Sequence, residues 1–195
     1  MTNTDRQLEI IEAAGRIMTD EGVSGLTTKK LSKEMGFSEA ALYRHFNSKE
    51  NIIVAMLEYV AKRMDEQYTL ALSKNENIEQ KFISIFQNQF TFFAQNPHFV
   101  IAVFSDGLLE ASQLINQAIL KILAVKVKHL KPIISEGQKK GVFTNIIEID
   151  DILHIVMGSV RLLMYKWRVA NFQFDISQKG DELIKSLLKL IKSEL

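Results

Sequence analysis

Lys29, Lys30, Lys33, Arg44 and Lys49 fall in one short stretch of the chain, opposed there only by Glu34 and Glu39. Tyr43, His45 and Lys49 in the same stretch can hydrogen-bond phosphate oxygens beside a nucleic-acid groove. Ser38 stands where a hydroxyl can cap a short helix and leave helix-start N–H groups facing an anion. Ala40 and Ala41 follow, and small side chains let a helix approach the floor of a groove. This is the chemistry of polyanion recognition, not of bond breaking.

Catalytic chemistry finds little support. The chain has no cysteine, which removes disulfides, thiolate metal sites and thiol nucleophiles. It has no HExxH zinc motif, no glycine-rich phosphate loop and no Gly-x-Ser-x-Gly elbow. Its four histidines, at 45, 98, 129 and 154, show no ligand spacing with carboxylates. We therefore expect no enzyme, no cofactor and no metal. The net charge of +1 argues against a polyanion binder as a whole molecule, so any nucleic-acid site must be a local patch.

The elements that would position these residues read as helix almost throughout. Hydrophobic residues are 47% of the chain and charged residues 24%, enough for a packed core and a solvated surface. No apolar run is long enough to span a membrane. The polar start lacks the basic flank and apolar run of a secretory signal, so a cytoplasmic protein is expected. Thr4 and Gln7 fit a capping box opening a first helix, with Leu8, Ile11, Ala14, Ile17 and Met18 at helical spacing; Gly22 and Gly25 stop it near residue 21. Thr27 or Thr28 caps a second helix that Gly36 ends. Ser38 caps a third, through Tyr43 or His45. Asn47 with Glu50 fits another capping box, opening a longer fourth helix. Further helices are expected at 78–95, briefly after Pro97, from about Leu108 to Lys140 with Pro132 kinking or breaking it, near 150–170 and near 178–194. Residues 141–148 read as a loop. The expected organisation is a domain at 1–46 followed by a larger helical one at 47–195.

Two short helices joined through Gly36, with Leu31, Met35, Phe37 and Leu42 packing them, fit a helix-turn-helix. The full string GLTTKKLSKEMGFSEAALYRHFNSKENII, preceded by IIEAAGRIMTDEG, resembles the DNA-binding domain of the TetR family of bacterial transcriptional regulators. The likeness covers roughly the first third of the chain. It implies an all-α fold: an N-terminal three-helix helix-turn-helix domain, then a larger helical ligand-binding and dimerisation domain. It also implies roles. Thr28 would bind phosphate, and Lys29 a base or phosphate. Ser38, Glu39, Ala40 and Ala41 would form the leading face of the recognition helix, with Glu39 accepting from a cytosine amino group and an alanine touching a thymine methyl. Tyr43, His45 and Lys49 would hold backbone phosphates, and Arg44 could add a base or phosphate contact. For Glu39 a solvated helix-start charge remains an equal reading, and for His45 a packing role.

Phe82, Phe86, Phe90 and Phe93 share one helix face, which ordinary core packing explains. The resemblance adds an effector cavity, expected to involve these four with Phe104, His129 and Met157, and to suit a small apolar effector. Asn88, Gln89, His98, Asp106 and His154 are further polar candidates. The resemblance also implies that the last two helices pair with those of a second copy. The candidate dimer residues are Ile152, Ile155, Ser159, Leu163, Trp167, Leu183, Leu187 and Ile191, with Gly158 and Arg161 beside them. Such a homodimer presents its two recognition helices to a palindromic DNA operator about 34 Å apart or a multiple of that. The expectation is therefore a ligand-responsive repressor. A protein that uses DNA as a scaffold, without an effector, is the alternative.

Overall fold

A computed structural model describes residues 4–74, 77–104 and 112–193. Its elements are α1 (Asp5–Gly25), α2 (Thr28–Glu34), α3 (Glu39–Tyr43), α4 (Lys49–Ser73), α5 (Ile78–Gln95), α6 (His98–Phe104), α7 (Gln113–Lys139), α8 (Ile149–Val169) and α9 (Ile176–Ile191). The fold is all-α. Among the described residues there is no strand, only an isolated antiparallel bridge between Phe143 and Lys192. Asp106 and the expected helix start at Leu108 lie outside the described residues. The chain divides into two compact units, one of residues 1–62 and 96–122, the other of 63–95 and 123–195. Helices α4 and α7 each contribute to both.

In the first unit, α1 opens on the expected capping box: Thr4 Oγ1 accepts from the Gln7 N–H, and the Gln7 side chain accepts from the Thr4 N–H. Ile10, Ile11, Ala14, Ile17 and Met18 are buried along one side. Gly15 lies under the ring of His98 on α6, where a Cβ would sit 2.7 Å from Cδ2, so glycine permits the close approach of the two helices. Helical geometry is interrupted at Gly22, at φ 74°, yet the helix resumes and reaches Gly25. The break falls where the sequence places the stop, after residue 21, and a short helical segment follows it. The start of α4 also differs from the expected box. Ser48, not Asn47, caps it, its hydroxyl accepting from the Asn51 N–H.

In the second unit, α5 buries Ile78, Phe82, Ile85, Phe86, Gln89, Phe90 and Phe93. Gly180 on α9 brings its backbone onto the Phe90 ring, where a Cβ would lie 2.7 Å from Cγ. Gly137 on α7 accommodates Phe143 similarly, and Phe143 meets Phe82 with ring centroids 5.9 Å apart. Helix α7 runs through Pro132 without ending. Pro132 is exposed, while Leu130, Ile133 and Ile134 are buried, so packing on the far side carries the helix past the missing N–H.

Candidate nucleic-acid interface and effector region

The turn between α2 and α3 is closed by its own backbone. Gly36 takes φ 67°, a conformation that glycine adopts without a Cβ penalty. The Phe37 N–H then donates to Ser32 O at 2.8 Å, the long-range bond of a helix-ending turn around a left-handed residue. Leu31 and Leu42 are fully buried and Phe46 nearly so, fixing the two short helices against the core. Thr27 Oγ1 caps α2 by accepting from the Lys30 N–H, and Ser38 Oγ caps α3 by accepting from the Ala41 N–H. With five residues, α3 is too short to hold itself together. It depends on Ser38, on buried Leu42, and on Gln7 of α1, whose amide donates to His45 O at 3.3 Å.

All ten residues nominated for DNA contact lie at exposed or half-exposed positions. Ser38, Glu39, Ala40, Tyr43, Arg44 and Lys29 are exposed, with Tyr43 at 46% of its full area. Thr28, Ala41, His45 and Lys49 are half-buried. An exposed tyrosine next to small exposed alanines has no packing explanation, and fits a surface meant to be covered.

Three pairings modify the sequence picture. The Thr28 hydroxyl donates to Glu39 Oε2 at 3.0 Å, so the side chains nominated for phosphate and for base contact hold each other. Lys30 pairs with Glu21 and is taken out of the basic patch. Lys49 Nζ donates to Val23 O at 2.9 Å, tying the start of α4 to the end of α1, and its partial burial holds its pKa below the usual lysine value. Among the described residues, Lys29, Lys33 and Arg44 have no ion-pair partner, and they supply the uncommitted positive charge of this face.

The effector candidates divide between the two units. Phe82, Phe86, Phe90, Phe93, His129 and Met157 belong to the second, whereas Phe104 is buried in the first. Around the phenylalanines runs a polar seam that periodicity did not reveal. Asp65 Oδ1 on α4 lies 2.6 Å from His129 Nε2 and 2.8 Å from Lys128 Nζ. These two hydrogen bonds, Lys128 first, keep the Asp65 carboxyl below its ordinary pKa. Asp65 can therefore only accept, so His129 Nε2 carries the proton. The His129 ring meets the edge of Tyr68, and the buried Tyr68 hydroxyl donates to Gln89 Oε1 at 3.1 Å. Burial pushes the Tyr68 phenol well above its usual pKa. Of the remaining polar candidates, Asn88 donates to Ser84 O on its own helix, His154 contacts Asp150 O, and His98 packs on Gly15 in the first unit.

The dimer candidates also divide. Ile152, Trp167, Leu187 and Ile191 are buried inside the chain. Trp167 is 4% exposed, donates its indole N–H to Phe174 O at 2.8 Å and packs edge-on with Phe172. Ile155 is exposed, and Ser159, Leu163 and Leu183 are half-buried. With Ile155 go Leu162, Tyr165 and Val169, all exposed and spaced to share one face of α8, and Leu190 on α9. Periodicity found the inner stripe, because it is the more hydrophobic one. The outer stripe was detectable only as apolar residues left over once the inner face had been assigned.

Residues 10–56 match the family model described as "Bacterial regulatory proteins, tetR family", and residues 56–190 match that of the "YsiA-like protein, C-terminal region". Among curated proteins, the nucleoid occlusion factor SlmA of Shewanella halifaxensis is 25% identical over 86% of this chain and 83% of its own. Among solved structures, the fatty acid degradation regulator FadR of Bacillus halodurans superposes with a TM-score of 0.88 at 18% identity, covering 96% of this chain and 97% of that one. FadR of Bacillus subtilis, solved in complex with stearoyl-CoA, gives 0.84 at 18% identity, covering 94% and 98%. No described helix is long and apolar enough to cross a membrane.

Proposed function

The chain belongs to the tetR family of bacterial regulatory proteins and is a DNA-binding transcriptional regulator; on that premise we propose that it is a repressor, binding a palindromic operator as a homodimer and releasing it when an acyl-type lipophilic effector binds. The observation that carries this reading is the face built by Ser38–Ala41, Tyr43 and Arg44. It is exposed, capped, and flanked by uncommitted Lys29 and by Lys49. Residues 1–46 form the reading head and 47–195 the effector and dimerisation part.

Dimerisation is supported by the exposed stripe of Ile155, Leu162, Tyr165 and Val169, with Leu162 55% and Val169 63% exposed. A contiguous apolar face of this kind marks an interaction surface. The acyl nature of the effector is supported by the phenylalanine-rich α5. It is supported too by the fold shared with the regulator that was solved with stearoyl-CoA. For the effector to act, it must bind the DNA-incompetent state more tightly than the competent one.

The test is selection of bound DNA from a random pool, followed by titration of the winning site. A two-fold symmetric site, bound by two chains and released by long-chain acyl-CoA, is the expected result. Absence of sequence preference at every salt concentration would refute it. The SlmA relatives favour a second reading, in which DNA binding serves nucleoid occlusion. Many dispersed sites and indifference to acyl-CoA would be its signature.

A further inference from the structure

We propose that Gln89 is the recognition residue for a neutral carbonyl oxygen on the effector's apolar chain, and that Tyr68 reports its engagement to α4. The inference rests on the effector reading above and gives it a specific chemical requirement.

Gln89 sits in the middle of the phenylalanine stripe, between Phe86, Phe90 and Phe93, and is 1% exposed. An amide has a carbonyl acceptor and two N–H donors. The acceptor is used, by the Tyr68 hydroxyl at 3.1 Å. The donor is not: among the described residues, Nε2 is buried with no hydrogen-bond partner. Buried polar groups are nearly always satisfied, and an orphan donor in an aromatic core is costly enough to need a reason. Leucine or methionine would remove the orphan donor, though with loss of the Tyr68 hydrogen bond.

The orientation is also built. Tyr68 holds Oε1, which turns Nε2 away from itself. Tyr68 in turn packs T-shaped with the His129 ring, and His129 is held by Asp65. The seam therefore runs from α7 through α4 to α5, all within the second unit. It leaves one donor, Gln89 Nε2, without a hydrogen-bond partner among the described residues. On the seam the Asp65 carboxylate is paired with Lys128, and the direct partner of Gln89 is a neutral phenol. A ligand carboxylate would meet no compensating cation from that partner, whereas a thioester or ketone carbonyl needs only the N–H. Tyr68 lies on the helix that begins at Lys49, so a ligand that shifts the Gln89 amide alters a contact of α4.

The test compares two probes below their micelle-forming concentrations. Palmitoyl-CoA carries the thioester carbonyl, and S-hexadecyl-CoA has the same tail as a thioether without it. Release of operator DNA from the full-length protein is followed by fluorescence anisotropy, and binding by calorimetry. Wild type should need about tenfold more thioether than thioester, equivalent to about 1.4 kcal/mol. In Gln89→Leu the two probes should become equivalent, while apo stability falls because the buried Tyr68 hydroxyl loses its acceptor; adding Tyr68→Phe should recover that loss. If Gln89→Leu does not fold, Gln89→Met serves the same purpose. Tyr68→Phe, which frees the amide to turn, should reduce the ratio while keeping binding. Equal potency in wild type, or an undiminished tenfold ratio in the Gln89 variants, would overturn the assignment; equal potency would leave Gln89 Nε2 to a structural water. Failure of both probes to bind would refute the acyl-effector reading itself, and this inference with it.

Discussion

Replacing Lys49 with methionine separates two roles of one ammonium group. One of its three N–H donors is committed to Val23 O at 2.9 Å, just beyond the Gly22 interruption of α1. The other two remain for a phosphate. A hydrogen bond involving a charged group contributes up to about 1.5–3 kcal/mol; here water can replace part of it at a half-buried site, so about 1 kcal/mol is expected. For a chain of this size that lowers Tm by about 2–4 °C. The DNA effect has a different signature. Each phosphate neutralised contributes about 0.9 to the slope of log K against log salt, so two heads on one operator lose about 1.8. Methionine preserves the stem's packing, and Lys49→Arg should restore most of the slope. The assay is anisotropy with operator DNA over a series of salt concentrations, paired with thermal melts. A lowered Tm with an unchanged slope would refute the phosphate role and leave Lys49 a clamp between α1 and α4. An unchanged Tm would refute the clamp.

Gly180→Ala tests the packing of α9 against α5. Helix propensity alone predicts a gain of about 1 kcal/mol. A Cβ placed 2.7 Å from Phe90 Cγ, against an optimum of about 3.5–4.0 Å, predicts a larger loss from overpacking. We expect net destabilisation of about 1–2 kcal/mol by denaturant titration, partly recovered when Phe90→Leu is added; a stabilised single variant would contradict the close approach. Lys126 predicts a pH dependence. Burial, aided by Arg161, pushes its pKa down to about 8 from the usual 10.5. Between those values the unfolded chain binds more protons than the folded one, so stability should rise as pH increases through that window and be lowest below it. The difference in denaturation midpoint between wild type and Lys126→Met should therefore shrink from pH 7 to pH 9.5; a constant difference would show that Lys126 keeps an ordinary pKa.

The helices and the reading head were legible because their signals are local. Hydroxyl caps at Thr4 and Ser38, a glycine at position 36 and an apolar period of helix act over a few residues, and the backbone obeys them. Exceptions arose where a distant contact outweighed the local rule. Helix α7 passes Pro132 because Leu130, Ile133 and Ile134 are buried on its other side. Periodicity also separates apolar from polar faces, but not one apolar face from another. It therefore grouped Trp167 with Ile155, although the first is buried in the chain and the second faces outward.

Composition, spacing and capping determined that this chain is all-α, that it opens on a helix-turn-helix, and which side chains are candidates for DNA contact. Tertiary structure alone decided which of those side chains are already engaged. Glu39 holds Thr28, Glu21 withdraws Lys30, and Val23 O occupies Lys49. It also decided that a glutamine among four phenylalanines keeps one donor unpaired. The reason is physical: a cap or a period is written in neighbouring residues, whereas a hydrogen bond across 21 positions, such as Tyr68 to Gln89, exists only once the helices have packed.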